Sequence, residues 1–184
     1  MIKVNANKLQ EAIDYVKDCL SEDDNRPVLK CLHLMLKEDS LIVEAVDGYK
    51  MARAVVKVIA KSEESFEALV KPFPVSVDKL GIFNVCLEIV NGYLEVLEQN
   101  GERHSHITLA GEYLRTDSIL AVGEPSFVIH FNPRYLMNVM KKYKVNRTNK
   151  PEVVMEFHGE FGACIIHSLQ DGKDKQHLIL PLRK

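Results

Sequence analysis

Val4-Asn5-Ala6-Asn7-Lys8-Leu9, Val75-Ser76-Val77-Asp78-Lys79-Leu80 and Phe131-Asn132-Pro133-Arg134-Tyr135-Leu136 share one layout. An apolar residue is followed by Asn or Ser, and the segment closes on Leu. Each copy precedes a pair of short alternating strands around a tight turn. A period of roughly 60 residues signals one supersecondary unit used several times. Such a chain suits a modular scaffold better than an enzyme with one asymmetric active site.

The first copy defines the unit. Ile2-Lys3-Val4 reads as a strand. Asn5 or Asn7 then caps a helix, because a short side-chain oxygen accepts from the free N–H groups of the first turn. Leu9, Ala12, Ile13, Val16, Cys19 and Leu20 recur at helical spacing and form one apolar stripe. Cys31 to Leu36 and Leu41 to Val46 alternate as strands about Lys37-Glu38-Asp39-Ser40, and Asp47-Gly48 turns the chain into a strand from Met51 to Ile59. The order is β-α-β-β-β.

The second copy repeats this order with room for about two helical turns between Ser76 and Phe83. Its hairpin, Val85 to Val90 and Tyr93 to Glu98, folds about Asn91-Gly92, a strong type I′ turn signal. His104 to Leu109 closes it, and 111–124 has the irregular pattern of a connector. In the third copy Ser126 to His130 is the expected first strand. Asn132 is the helix cap, and Pro133 sits where a missing N–H is harmless. Two hairpin strands and a last strand from Gln176 to Leu182 follow. The expected domains are 1–124, holding units 1–60 and 65–110 with the connector 111–124, and 125–184.

At 184 residues the chain is long enough to bury a good core. No apolar run approaches the ~18 residues of a membrane span, and the N-terminus lacks a signal peptide's apolar stretch. The four cysteines are scattered without CxxC pairing and read as buried thiols of a reducing cytoplasm. Net charge is −2, which excludes a wholly basic nucleic-acid binder. The distribution is uneven, however. Between Pro125 and Pro151 there is no acidic residue, but there are Arg134, Lys141, Lys142, Lys144, Arg147 and Lys150. On the third helix the apolar Leu136, Val139, Met140 and Tyr143 fall on one side and the basic residues largely on the other. That pattern fits phosphate contact, or simply a solvated face. The first helix mixes Lys8 and Lys17 with Glu11, Asp14 and Asp18 and is a poor phosphate surface.

No nucleophile elbow, Walker loop, HExxH or Gly-rich phosphate cradle is present, so neither an enzyme nor a cofactor is expected. His104 and His106 alternate on one strand face, but no third metal ligand stands at a usable spacing; they read as surface histidines, as do His158 and His167. Glu44 and Asp47 read as exposed or turn-forming carboxylates.

Four segments in order resemble the bacterial sliding clamp, the β subunit of DNA polymerase III. Asp47-Gly48-Tyr49-Lys50-Met51-Ala52 resembles a segment of its middle domain. Gly111-Glu112-Tyr113 with Asp117-Ser118-Ile119-Leu120 resembles the connector that ends that domain. Phe131 to Leu136 and Leu178 to Arg183 resemble parts of the last domain. The resemblance covers the middle domain and the second half of the last. It implies an α+β, DNA-clamp-like fold of repeated β-α-β-β-β units, with helices packed on one face of antiparallel sheets.

The same resemblance implies a function: a processivity or tethering factor holding polymerase or repair partners on duplex DNA, without catalysis. Polymerase, clamp-loader or repair proteins would dock by short linear peptides in a cleft built from Arg26, Leu29, Gly48, Tyr49, Met51, Leu178, Leu180, Pro181, Leu182 and Arg183. Weak, salt-sensitive DNA contact would fall on the basic helix. Departures from the family pattern are Tyr49 in place of His, Ala121 in place of Pro, and Leu180 and Leu182 in place of two methionines. Three units per chain leave one without its usual mate, which implies a homodimer or higher homo-oligomer. The alternative is a clamp-like regulator that binds partner peptides or the host clamp and never encircles DNA.

Overall fold

The computed structural model describes residues 1–62, 65–143, 152–168 and 175–182. They divide into two compact units, Met1–Arg115 and Thr116–Lys184. In the first, β1 (Ile2–Asn5) leads into helix α1 (Ala6–Val16), followed by β2 (Leu32–Lys37), β3 (Ser40–Val46) and β4 (Met51–Lys61). Then come β5 (Glu67–Val70), β6 (Asn84–Val90), β7 (Tyr93–Glu98) and β8 (Arg103–Ile107).

These eight strands form one antiparallel sheet in the order β5-β2-β3-β4-β1-β6-β7-β8. The order is informative because each repeat lends its first strand to the other. β1 pairs with β4 of its own repeat and with β6 of the second. β5 pairs with β2 of the first repeat, and its own closing strand meets it at the Val70–Thr108 bridge, where the Leu109 N–H donates to the Leu69 carbonyl at 2.8 Å. The two outermost strands of the sheet therefore touch. The pairing pattern has an internal two-fold character.

Alternation drives the packing. Leu34, Leu41, Val43, Leu87, Leu94 and Val96 point to one face and are buried with Leu9, Ile13 and Val16 of α1. The α1 cap is Asn5, whose Oδ1 accepts from the Lys8 N–H at 3.0 Å. Asn91 and Gly92 take positive φ values of 51° and 80°, as their hairpin turn requires.

The expected helix between Ser76 and Phe83 does not form. Asp78 takes the N–H groups of Leu80, Ile82 and Phe83 onto its own carboxylate, so they are withdrawn from any helical ladder. Helix α1 then fixes the resulting loop. Asn7 donates to the Asp78 carbonyl at 2.7 Å and accepts from its N–H at 3.2 Å, Asn5 donates to the Gly81 carbonyl, and Gln10 accepts from Val75. The carboxylate's hydrogen bonds to Phe83, Ile82 and Leu80 hold its pKa below the usual range against the opposing effect of desolvation.

Glu44, expected on the surface, is completely buried. Its Oε1 meets His33 Nδ1 at 2.8 Å, and its Oε2 accepts from Arg53 Nε at 2.8 Å. On its far side His33 Nε2 lies 2.8 Å from the exposed Glu67, and its ring packs 4.6 Å from that of Tyr113. A buried carboxylate survives only when so paired. Burial disfavours the imidazolium, but Glu44 and Glu67 outweigh it and raise the His33 pKa. Tyr113 is pushed strongly up by burial and by the Glu44 charge.

The second unit holds short helix α2 (Thr116–Leu120) within the expected connector, then helix α3 (Pro133–Met140), β9 (Val153–Phe157), β10 (Cys164–Ser168) and β11 (Gln176–Ile179). The strands form an antiparallel sheet in the order β11-β10-β9. Asn132 caps α3, accepting from the Arg134 N–H at 3.0 Å. Val139 is buried with Cys164, Ile166 and Ile179, and Leu136, Met140 and Tyr143 pack beside them. His167, expected on the surface, is buried in the middle strand, 3.5 Å from Glu156.

Residues 126–130 are not a strand, contrary to expectation. Their one described backbone bond is from the Leu182 N–H to the His130 carbonyl, at 2.7 Å. In the first unit the matching strand is held by the neighbouring repeat, and the third repeat has no such neighbour within these residues.

Because the folded His33 pKa is raised, its contribution to stability is complete below its ordinary value of about 6.5 and is lost as pH rises through the folded value. Glu67→Gln removes only the exposed carboxylate and weakens this coupling. Urea unfolding between pH 6 and pH 9 should therefore show stability falling with pH more steeply in the unmodified protein than in the variant. Parallel profiles would contradict the assignment.

Candidate functional site

Of the first-unit residues expected in the cleft, Arg26, Gly48 and Tyr49 lie together at the turn between β3 and β4. Asp47 ends the strand pair and folds the turn onto its own carboxylate, accepting from the N–H of Tyr49 at 2.8 Å and of Lys50 at 2.9 Å. Desolvation opposes ionisation there, but these hydrogen bonds and the nearby Lys50 charge lower its pKa. Gly48 takes φ +99°, and a Cβ at this position would stand 3.1 Å from an Arg26 guanidinium nitrogen. Arg26 also lies 3.7 Å from Asp23. Tyr49 is 99% exposed, an unusual position for so large an aromatic ring.

Asp23, Arg26, Asp47, Tyr49 and Lys50 rim a depression of about 420 Å³ that Asp18, Leu20, Ser21 and Glu22 complete. Its lining carries more carboxylates than cations. Leu29 is buried and Met51 half-buried, and neither lines the depression.

In the second unit Leu178, Leu180 and Leu182 are all at least half exposed, while Ile179 between them is buried. Leu178 and Leu180 join Tyr135, Asn138 and Val139 around an apolar groove of about 440 Å³. Pro181 is half-buried in the segment that the Leu182–His130 bond anchors. Arg183 lies outside the described residues, as do Lys144, Arg147 and Lys150.

Arg134, Lys141 and Lys142 are exposed. At 100° per residue Arg134 and Lys141 project opposite to the buried stripe of α3, with Lys142 on its flank. Among the described residues none of the three makes an ion pair. On α1 the contrast is plain: Lys8 pairs with Glu11 at 2.7 Å and Lys17 with Asp14 at 2.6 Å. The four cysteines are free thiols, and burial pushes the Cys31 and Cys164 pKa values up. No helix among the described residues is long and apolar enough to cross a membrane.

A family profile described as "DNA polymerase III beta subunit, central domain" matches residues 3–113. The chain belongs to the DNA polymerase III beta subunit family. Solved structures agree on the fold. A sliding clamp from Bacillus subtilis superposes with a TM-score of 0.76 at 16% identity, covering 98% of this chain and 48% of the clamp. A putative beta subunit from Eubacterium rectale gives 0.75 at 15% identity, covering 98% and 50%. The Helicobacter pylori beta clamp bound to a DNA ligase peptide gives 0.59 at 16% identity, covering 98% and 55%. The chain thus spans about half the length of the beta subunits it superposes on first. A search of curated protein sequences found no match.

The beta-subunit resemblance missed the acidic rim of the turn depression and the role of Tyr135 in the groove. Asp18 reads as part of the first helix in sequence and Glu22 and Asp23 as loop residues, and it is the fold that brings Asp18 to the same depression as Arg26. Gly48→Ala should lower stability by about 1–2 kcal/mol, because an L side chain is strained at that φ. Denaturant unfolding reads this directly, and an unchanged midpoint would show that the turn relaxes freely.

Proposed function

We propose that this chain is a non-catalytic, sliding-clamp-like tether. It holds polymerase or repair partners near duplex DNA, binding them through short linear peptides. The observation that carries the reading is the free basic face of α3. Arg134 on the helix and Lys141 and Lys142 at its end, exposed and without acidic partners among the described residues, meet phosphates without reading bases, which suits movement along a duplex. Arg26, Gly48 and Tyr49 in the first unit, with Leu178 and Leu180 in the second, supply a cationic-aromatic surface and an apolar groove for partner peptides. The DNA ligase peptide on the Helicobacter pylori clamp is the same class of ligand.

Assembly follows from the third repeat. Among the described residues, 126–130 have no strand partner and β9 is an edge strand. In the first unit the equivalent positions, β1 and β2, are satisfied by the other repeat. Two chains related by a two-fold axis would exchange these segments and complete a second sheet of the same kind.

One observation favours a regulator that binds peptides without encircling DNA: the cations of α1 are neutralised by Glu11 and Asp14. Retention on nicked circular duplex DNA separates the two. A tether stays with the circle at low salt, leaves when the DNA is linearised, and leaves at moderate salt. Lys141→Glu with Lys142→Glu should reduce retention several-fold. Peptide binding with equal indifference to circular and linear DNA would overturn the tether.

A further inference from the structure

The end of the β7–β8 hairpin carries a polar cluster that the tethering function does not use. Glu98 is the last residue of β7, on the same face as the buried Leu94 and Val96, and its cross-strand partner is the buried Val85. An apolar residue would be expected there. Its carboxylate is 95% buried. Oε1 accepts from the Ser76 N–H at 3.1 Å, and Oε2 is buried with no hydrogen-bond partner among the described residues. A buried carboxylate oxygen without a partner is costly and calls for a ligand.

Two further donors stand beside it. His104 Nε2 lies 3.7 Å from Glu98 Oε1 and 4.0 Å from Glu102 Oε2. One ligand atom from each of Glu98, Glu102 and His104 falls within 4.8 Å of the others. His104 faces Val96 across the ladder, which turns it to the same side as Glu98. Asn100 donates to Glu102 Oε2 at 3.0 Å, and the Glu98 N–H donates to the Glu102 carbonyl at 2.8 Å, so the turn already presents both carboxylates together. His106, which shares this strand face with His104, stacks on Phe73 with ring centres 4.7 Å apart.

We propose that Glu98, Glu102 and His104 form a binding site for a divalent transition-metal ion of the zinc type. One imidazole nitrogen and two carboxylates match its ligand preferences and leave a fourth position for water. Donors around a tetrahedral zinc ion stand about 3.4 Å apart. The present separations close to that value by small rotations of Glu102 and His104, whose side chains are 65% and 48% exposed. The ion neutralises the two carboxylates, with Glu98 Oε1, the oxygen nearest His104, as its ligand from the buried side. The site ties the hairpin end to the loop at Ser76, where this repeat has no helix.

Titration of the full chain with Zn2+, read by calorimetry and by the thermal unfolding midpoint, tests the site. One Zn2+ per chain should bind and raise the midpoint. Glu98→Gln and His104→Gln should each weaken binding by more than about tenfold, since loss of a ligand exceeds the cost of losing an outer-shell group. His104 is half exposed, so its variant should fold even if Glu98→Gln does not. Co2+ substitution should give visible bands without the intense near-ultraviolet absorption of thiolate ligation. No Zn2+ binding by the unmodified chain, binding that survives His104→Gln, or a thiolate spectrum would overturn the proposal.

Discussion

The structure depends on one constraint: in the first unit, the first strand of each repeat is paired by a strand of the other repeat. A β-strand presents donors and acceptors on both edges, and each must be paired or solvated. β1 has β4 on one side and β6 on the other. β5 has β2 along one edge and a single bridge at Thr108 on the other. Exchange makes two repeats the smallest self-sufficient group, which explains why Met1–Arg115 is compact as a pair. It also explains why residues 126–130, with no neighbouring repeat among the described residues, do not pair as a strand.

The two repeats of the first unit solve the same packing problem differently. One covers its inner face with α1, whose stripe is entirely apolar. The other uses a loop that Asn5, Asn7 and Gln10 of α1 hold through backbone hydrogen bonds. A loop covers less apolar surface than a helix, and polar residues occupy the inner face where cover is thin. Glu98 and His104 lie there, together with His106. The buried Glu44 is a different case, since His33 and Arg53 satisfy both of its oxygens. One carboxylate closes a network within the protein, and the other leaves an oxygen open.

Much of this was legible in the sequence because it is local. The Asn91-Gly92 turn, the caps at Asn5 and Asn132 and the alternating hairpins all depend on neighbours a few residues away. What was misread depends on distant partners. Ser76 to Phe83 has room for a helix, but Asp78 and the side chains of α1 claim its N–H groups. Glu44 and His167 look like surface polar residues until cross-strand partners from other hairpins enclose them. His104 has no third ligand in the i, i+2 pattern, because Glu98 and Glu102 reach it around a hairpin end. Of the residues expected in the cleft, Gly48 and Arg26 lie together at the turn, whereas Leu29 is buried.

Among the described residues, the third repeat is thus left with open strand edges, and the cations on and just after α3 have no acidic partner. Both features are explained if two chains complete each other's sheets and together face a duplex. The most direct measurement is the absolute mass of the purified chain by light scattering on a sizing column, over a range of concentrations. The account predicts an even-numbered assembly, a dimer or a pair of dimers, that persists on dilution. A monomer at every concentration would contradict it.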